Sequence, residues 1–268
     1  MHWYVMQDGV ARRYRQLTKD GKERKRINVD KALADGAVPS VTTVLKFVGE
    51  SQGLVYWAVK ETVYSTFDSI LDALGESAKV KRGELVQQCI ENAHEALEVA
   101  ANIGTAMHKF IDAFISGREL PEVPPEIRDS CEVAAEAARK IVDAIQDRRT
   151  EHCLIGEIEL RDGTLFRYGG TADLISPNVL LDWKTVGDDG RNAKLHECAQ
   201  LVALRNAGAQ MGLCLPDAEL RNVYIRRTDG AVDNIVTWSQ EDQSLGLDLF
   251  RLAAEAFRLL VIIARGRK

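Results

Sequence analysis

Asp182 and Lys184 stand two residues apart in Val179-Leu180-Leu181-Asp182-Trp183-Lys184-Thr185. If the segment is a β-strand, they share one face, while Leu181, Trp183 and Thr185 point to the other. A carboxylate and an ammonium thus project together from an otherwise apolar run. Asp173 ends the preceding β-like run, after Gly169 and Gly170, and only a turn at Pro177-Asn178 separates the two. Asp173 and Asp182 can therefore converge, and the two glycines leave room for a backbone, a metal or a phosphate to come close. Two hard oxygen ligands beside an ammonium suit Mg²⁺, which prefers carboxylate and water oxygens and accepts substrate phosphates. Such a metal polarises a phosphate and acidifies a bound water, and Lys184 would orient or deprotonate that water or stabilise developing charge. The competing reading is an Asp–Lys ion pair at a strand end with Asp173 in a turn. The triplet alone does not decide between them.

Other elements must hold these groups in place. CLIGEIEL, TLFRYGGTADLIS and NVLLDWKT read as three short strands divided by Asp162-Gly163 and Pro177-Asn178 turns. Upstream the chain is mainly helical. Val55, Val59, Val63, Phe67, Ile70 and Leu74 form one stripe over 53–74, a long helix runs over 84–115 before Gly117, and another spans 125–148. Downstream, 192–207 is helical and 219–227 is a strand, while Ser239 with Asp242 opens a last helix to about residue 264. At the N-terminus, 2–16 and 24–29 read as a hairpin around Asp20-Gly21, and Ser40 in PSVTTVL can cap a short helix.

The 268 residues carry 46% hydrophobic side chains and a net charge of −5, enough apolar surface for a real core and too acidic to coat nucleic acid indiscriminately. Arg12, Arg13, Arg15, Lys19, Lys22, Arg24, Lys25, Arg26 and Lys31 nonetheless form a basic segment, either a phosphate-tracking surface or a solvated hairpin. Trp3, Tyr4, Tyr14, Tyr56 and Trp57 are either base-stacking platforms or core aromatics. No apolar run is long enough to span a bilayer and the first residues are charged, so a cytoplasmic protein without membrane contact is expected. Cys89, Cys131, Cys153, Cys198 and Cys214 lack a CxxC pair and point to free thiols. His152, Cys153, His196 and Cys198 lack zinc-ligand spacing, so no zinc is expected.

GGTADLI followed by VLLDWKT resembles motifs II and III of the PD-(D/E)XK nuclease superfamily, in particular its RecB-type branch. GTAMHKFID resembles that branch's GxxxH helix, GEIEL its acidic strand and AQLVAL its QLxAY helix, in the family's order over about residues 38–205. PSVTTVL with Leu54 and Trp57 is similar to phage exonucleases and to the mitochondrial genome maintenance exonuclease group. The resemblance implies an α/β fold with a restriction-endonuclease-like core, a small mixed sheet flanked by helices and a helical N-terminal portion. It implies one nuclease domain over 1–268: hairpin and basic segment (1–52), helical portion with His108 (53–150), catalytic sheet and helix (151–230) and C-terminal helix (231–268). The implied activity is a Mg²⁺- or Mn²⁺-dependent DNA exonuclease of phage or prophage type acting on single-stranded or duplex ends. A structure-specific or nicking endonuclease and an inactive nucleic-acid-binding module are the alternatives.

Residue by residue, the resemblance makes His108, Asp173, Asp182 and the Trp183 carbonyl metal ligands and Lys184 the catalytic lysine. On its helix His108 shares a stripe with Gly104, Ile111 and Ile115, the position of an ordinary core histidine; the GTAMH context favours ligation. Glu157 and Glu159 face the same way, and Glu157 has the spacing to Asp173 closer to the family's, with Glu159 as the alternative. Gln200 would contact the substrate backbone or hold Lys184. The tyrosine the family carries four residues later is Leu204 here, a departure that removes one substrate contact. The cysteines lack a clustered C-terminal trio, so no iron–sulfur cluster is expected.

Overall fold

The computed structural model of the chain describes residues 2–18, 20–24, 27–48, 82–187 and 193–263, the side chains of 82–98 excepted. The expected 53–74 helix, with Leu54, Tyr56 and Trp57, lies outside them. The chain divides into two compact units, Met1–Gly49 with Met107–Lys268, and Glu50–Ala106. In the second unit the described part is helical backbone. The first carries every feature discussed below.

Its elements in chain order are β1 (Trp3–Gln7), β2 (Val10–Arg13), α1 (Val29–Ala34), β3 (Val38–Pro39), α2 (Val41–Leu45), the last turns of α3 (Arg82–Ile115), α4 (Pro125–Val142), β4 (Arg149–Glu159), β5 (Leu165–Ile175), β6 (Val179–Val186), α5 (Leu195–Gln210), β7 (Glu219–Arg226), β8 (Val232–Thr237) and α6 (Gln240–Phe257), which runs on as a π-helical turn, Arg258–Ile263. Five strands form one mixed sheet in the order β4-β5-β6-β7-β8, in which only β6 and β7 run parallel. A parallel pair needs a long crossover, and α5 supplies it.

Alternation along β6 and β7 sends Leu180 and Leu220 to one core and Leu181, Trp183, Val223 and Ile225 to the other. The first core lies under α5 and α6, with Tyr168 meeting Phe250 edge-on at 4.8 Å. The second lies under α4 and α3 from Met107 onward, where Met107, Ile111, Ala134 and Ala138 are completely buried. Helix α5 is apolar nearly all round, Cys198, Ala199, Leu201, Val202, Ala203, Leu204 and Ala207 all being buried, because it is packed between the sheet and α6. Gly246 permits that approach: a Cβ there would lie 3.1 Å from the Ala199 nitrogen.

The N-terminal hairpin differs from expectation. It turns at Asp8-Gly9, both with positive φ (50° and 75°), a two-residue connection matched to strand twist. Asp20-Gly21 instead closes a small loop bridged by Leu17 and Glu23. Helix α4 stops at Val142, six residues short of the expected end, where the Arg148 guanidinium donates to the carbonyls of Val142 and Ile145 at 3.0 and 3.1 Å. Strand β8 was not expected: as a sheet edge with a mostly exposed face, VDNIVT carries only a weak alternating pattern. Ser40 caps α2 by accepting from the Thr43 amide at 3.0 Å, as the sequence indicates.

Candidate active site

The hairpin of β5 and β6 pairs Ile175 with Leu180 and Leu174 with Leu181. The next opposed residues are Asp173 and Asp182, and there the ladder stops. Asp173 turns its carboxylate into the gap, where Oδ2 accepts from the Trp183 backbone nitrogen at 2.9 Å in place of a main-chain acceptor. Both backbone groups of a strand residue face the same neighbouring strand, so the Trp183 carbonyl is directed to this gap as well. Asp173 and Asp182 thus converge because they are register partners at the point where two strands part.

Asp182 is almost fully enclosed, its side chain only 6% exposed, and both its oxygens are hydrogen-bonded, with one acceptor position left on Oδ1. Oδ2 receives Lys184 Nζ at 2.7 Å and Asn222 Nδ2 at 2.7 Å; Oδ1 receives Gln200 Nε2 at 3.0 Å. Gln200 Oε1 accepts from Lys184 Nζ at 3.1 Å, so one amide on α5 holds both members of the pair. Asn222, opposite Asp182 on β7, is itself fixed by Trp238 Nε1 donating to its Oδ1 at 2.7 Å. Burial works to lower the Lys184 pKa, but the Asp182 and Asp173 carboxylates together outweigh it and the ammonium is held above its ordinary value. Asp173 goes the other way for a carboxyl: burial first, then repulsion from Asp182, raises its pKa.

His108 places Nδ1 3.6 Å from Asp173 Oδ2. Burial lowers its pKa, aided by Lys184 and opposed by Asp182, so the neutral imidazole, the ligating form, is favoured. The structure therefore brings His108, Asp173, Asp182, Trp183, Lys184 and Gln200 together. It does not bring Glu157 or Glu159. Glu157 pairs with Arg167, six positions along β5 from Asp173, roughly 20 Å away at ~3.3 Å per residue. Its backbone, not its carboxylate, is engaged, donating to Gln210 Oε1 at 2.8 Å and accepting from Asn206 Nδ2 at 3.0 Å. Glu159, opposite Leu165, is farther still.

The β4 acid that faces Asp173 is Glu151. The pairs Thr150–Leu174 and His152–Ala172 flank it, and it sits between them with φ 46°, in the left-handed region unusual for a non-glycine residue. Desolvation in the cleft it lines, then repulsion from Asp173 and Asp112, pushes its pKa up to about 7. Glu151 and Asn222 escaped the sequence reading, yet each left a signal. Glu151 and Asp173 are both eleven residues from Asp162 in the turn, so counting the ladder back from that turn pairs them. Asn222 is a polar residue in the buried centre of ELRNVYIR.

Gly169 and Gly170 make room for protein. A Cβ on Gly169 would lie 2.7 Å from Tyr4 Cβ, and one on Gly170 2.4 Å from Leu204 Cδ2. Leu204, where the family's pattern has a tyrosine, is thus a packing residue against β5. Trp3 and Tyr4 are buried and offer no stacking platform. Among the described residues, no three His, Cys, Asp or Glu side chains are gathered closely enough to enclose an ion by themselves, and no helix is long and apolar enough to cross a membrane.

Neither a protein-family model nor a curated protein sequence matches the chain. Among solved structures, a candidate exonuclease from Eubacterium rectale is similar over 59% of this chain and 67% of its own, with 10% identity and a TM-score of 0.39. SSO0001 is similar over 58% of this chain and 84% of its own, with 16% identity and a TM-score of 0.30. Likenesses this distant decide nothing about the chemistry, which rests on the side chains gathered at the β5–β6 gap.

Proposed function

We propose that the chain is a Mg²⁺- or Mn²⁺-dependent deoxyribonuclease that hydrolyses phosphodiester bonds from DNA ends, in keeping with the ordered motifs from GTAMH to AQLVAL. The observation that carries this reading is the opposition of Asp173 and Asp182 where β5 and β6 separate, with Lys184 in contact with Asp182. The donor set fits a hard divalent cation. Asp173, Asp182 and Glu151 outnumber the single Lys184 ammonium, and a cation would favour the ionised carboxylates that burial first, and then mutual repulsion, disfavour at Asp173 and Glu151. Mg²⁺ is commonly held by one or two carboxylates, its remaining positions taken by water and substrate phosphate, so no closed protein cage is required. Asp173 and Asp182 would hold it, with His108 and the Trp183 carbonyl completing the protein share. When bound, the metal supplies Lewis-acid polarisation of the phosphate and a more acidic water.

The chain's own residues supply position and charge. Lys184 stays an ammonium and donates to the phosphate oxygens where negative charge grows. Gln200 fixes Nζ and orients Asp182, and Asn222 immobilises the second oxygen of that carboxylate. His108, neutral, adds a lone pair without adding charge. The test is digestion of linear and covalently closed circular DNA with Mg²⁺ and with EDTA. Loss of linear DNA alone, stopped by EDTA, is expected; cutting of the closed circle would make the protein an endonuclease, and an EDTA-resistant rate would refute metal dependence.

A further inference from the structure

The small cleft that Glu151 lines adjoins the reaction group. Gln200, which holds Lys184 and Asp182, lines it together with Tyr4, Arg13, Thr42, Thr171 and Glu151. Its volume of about 130 Å³ equals about four waters at ~30 Å³ each. That is room for a phosphate group.

The lining has the chemistry such a group needs. Tyr4 Oη and Thr171 Oγ1 lie 2.9 Å apart and share one hydrogen bond, which leaves one of the two hydroxyl hydrogens to donate; Ser40 Oγ, which donates to Thr43 Oγ1 at 2.8 Å, accepts from Thr42 Oγ1 at 3.1 Å, a contact that a phosphate oxygen would replace. Arg13 engages one guanidinium nitrogen, Nη2, with His2 Nδ1 at 2.8 Å, which steadies the planar fork that suits phosphate oxygens. Nor is Arg13 on a loose tail. Strand β2 pairs with β1, and β1 is seated on β5 through Tyr4 over Gly169, with Ser40 bridged to Gly169 beside it. The strand that carries Arg13 is thereby anchored on the sheet of the reaction group. Glu151 also borders the cleft, as the β4 residue that faces Asp173.

We propose that this cleft binds a phosphate of the substrate strand neighbouring the one being cleaved, with Arg13 as its charged contact and Thr42 and Thr171 among its hydroxyl contacts. The proposal rests on the nuclease reading, and two sources of the group are open: a terminal phosphate or an internal phosphodiester. The test uses fluorescence anisotropy of labelled single-stranded oligonucleotides bearing 5′-phosphate, 5′-hydroxyl, 3′-phosphate or 3′-hydroxyl ends, in EDTA, alongside steady-state cleavage in Mg²⁺. Arg13→Ala should weaken binding on the order of tenfold or more, as expected for a lost charge-assisted hydrogen bond, and raise KM by a like factor with kcat kept. Arg13→Lys should restore part of both, and Thr42→Val should give a smaller loss of the same kind. A loss confined to one phosphorylated end identifies a terminal phosphate; an equal loss on all four oligonucleotides identifies an internal one. Unchanged affinity and KM in Arg13→Ala, with wild-type cleavage intact, would overturn the subsite. A wild type that binds these oligonucleotides but never cleaves them would instead overturn the nuclease reading, and anisotropy alone would then judge the cleft.

Discussion

The two sides of strand β6 are built in opposite ways. Toward β7 all eight residues from Val179 to Val186 are in register with Glu219 to Arg226; toward β5 the register lasts for two pairs and opens at Asp173. The first side acts as a rail: it fixes Asp182 opposite Asn222 and transmits the position of α6 through Trp238 and Asn222. The second acts as a mouth, where backbone groups freed from the ladder and two opposed carboxylates face one space. One strand can hold charged groups in a stable sheet because the cost of burying them is offset on the rail side by complete hydrogen bonding. Asp182 accepts three side-chain donors, Asn222 from the rail together with Lys184 and Gln200, whereas Asp173 accepts a single backbone amide and keeps its raised pKa.

Substitutions on the two sides should therefore fail differently. The largest effect is expected at the mouth: Lys184→Ala should lower kcat by ~10²–10⁴-fold in steady-state cleavage, the range for a positioned proton-transfer or charge-stabilising group. Gln200→Ala should follow with a ~10–100-fold loss of activity or metal affinity, since it acts by orienting Lys184 and Asp182. On the rail, Asn222→Leu should appear mainly as instability. It leaves an Asp182 oxygen and Trp238 Nε1 short of partners in a buried place, a cost of ~1–3 kcal/mol readable by chemical denaturation. If Asn222→Leu instead kept full stability, the rail would not be the support described.

A pH series sharpens the same contrast. Glu151, with a folded pKa of about 7 against an ordinary 4.5, is a raised acid. Its favourable contribution is complete below the unfolded pKa and is lost as pH rises through the folded value, because the ionised form is then held out of water and beside Asp173. Metal-free Glu151→Gln should accordingly melt above wild type at pH 8, and the two should converge near pH 4.5. A constant Tm difference across that window would show that the ionised carboxyl is not disfavoured there. The smallest effect is expected at Glu157→Gln, which should leave cleavage unchanged because Glu157 lies beside Arg167, far from the mouth.

Much of this was legible in the sequence, and the exceptions have physical causes. Period-two alternation gave the shared face of Asp182 and Lys184; the helical stripe turned His108 inward, and only the resemblance of GTAMHKFID set it beside Asp173. The choice of Glu157 failed because motif spacing counts residues along a chain, whereas proximity across a hairpin is set by register from the turn, which selects Glu151. Asn222 and the parting of β5 from β6 depend on partners distant in sequence, and strand periodicity contains no term for them. Gly169 and Gly170 signalled a close approach correctly, but glycine cannot say what approaches; Tyr4 and Leu204 do.

The central claim is that the Asp173–Asp182 mouth is a metal-dependent reaction centre. Its most direct test is the initial rate of nucleotide release from linear DNA in Mg²⁺ by wild type and by Asp182→Asn, with isothermal calorimetry of Mn²⁺ on both. The account predicts metal-dependent release and measurable Mn²⁺ binding for wild type, with both lost or reduced at least about tenfold in the variant. A folded Asp182→Asn protein that cleaves DNA and binds Mn²⁺ as well as wild type would contradict it.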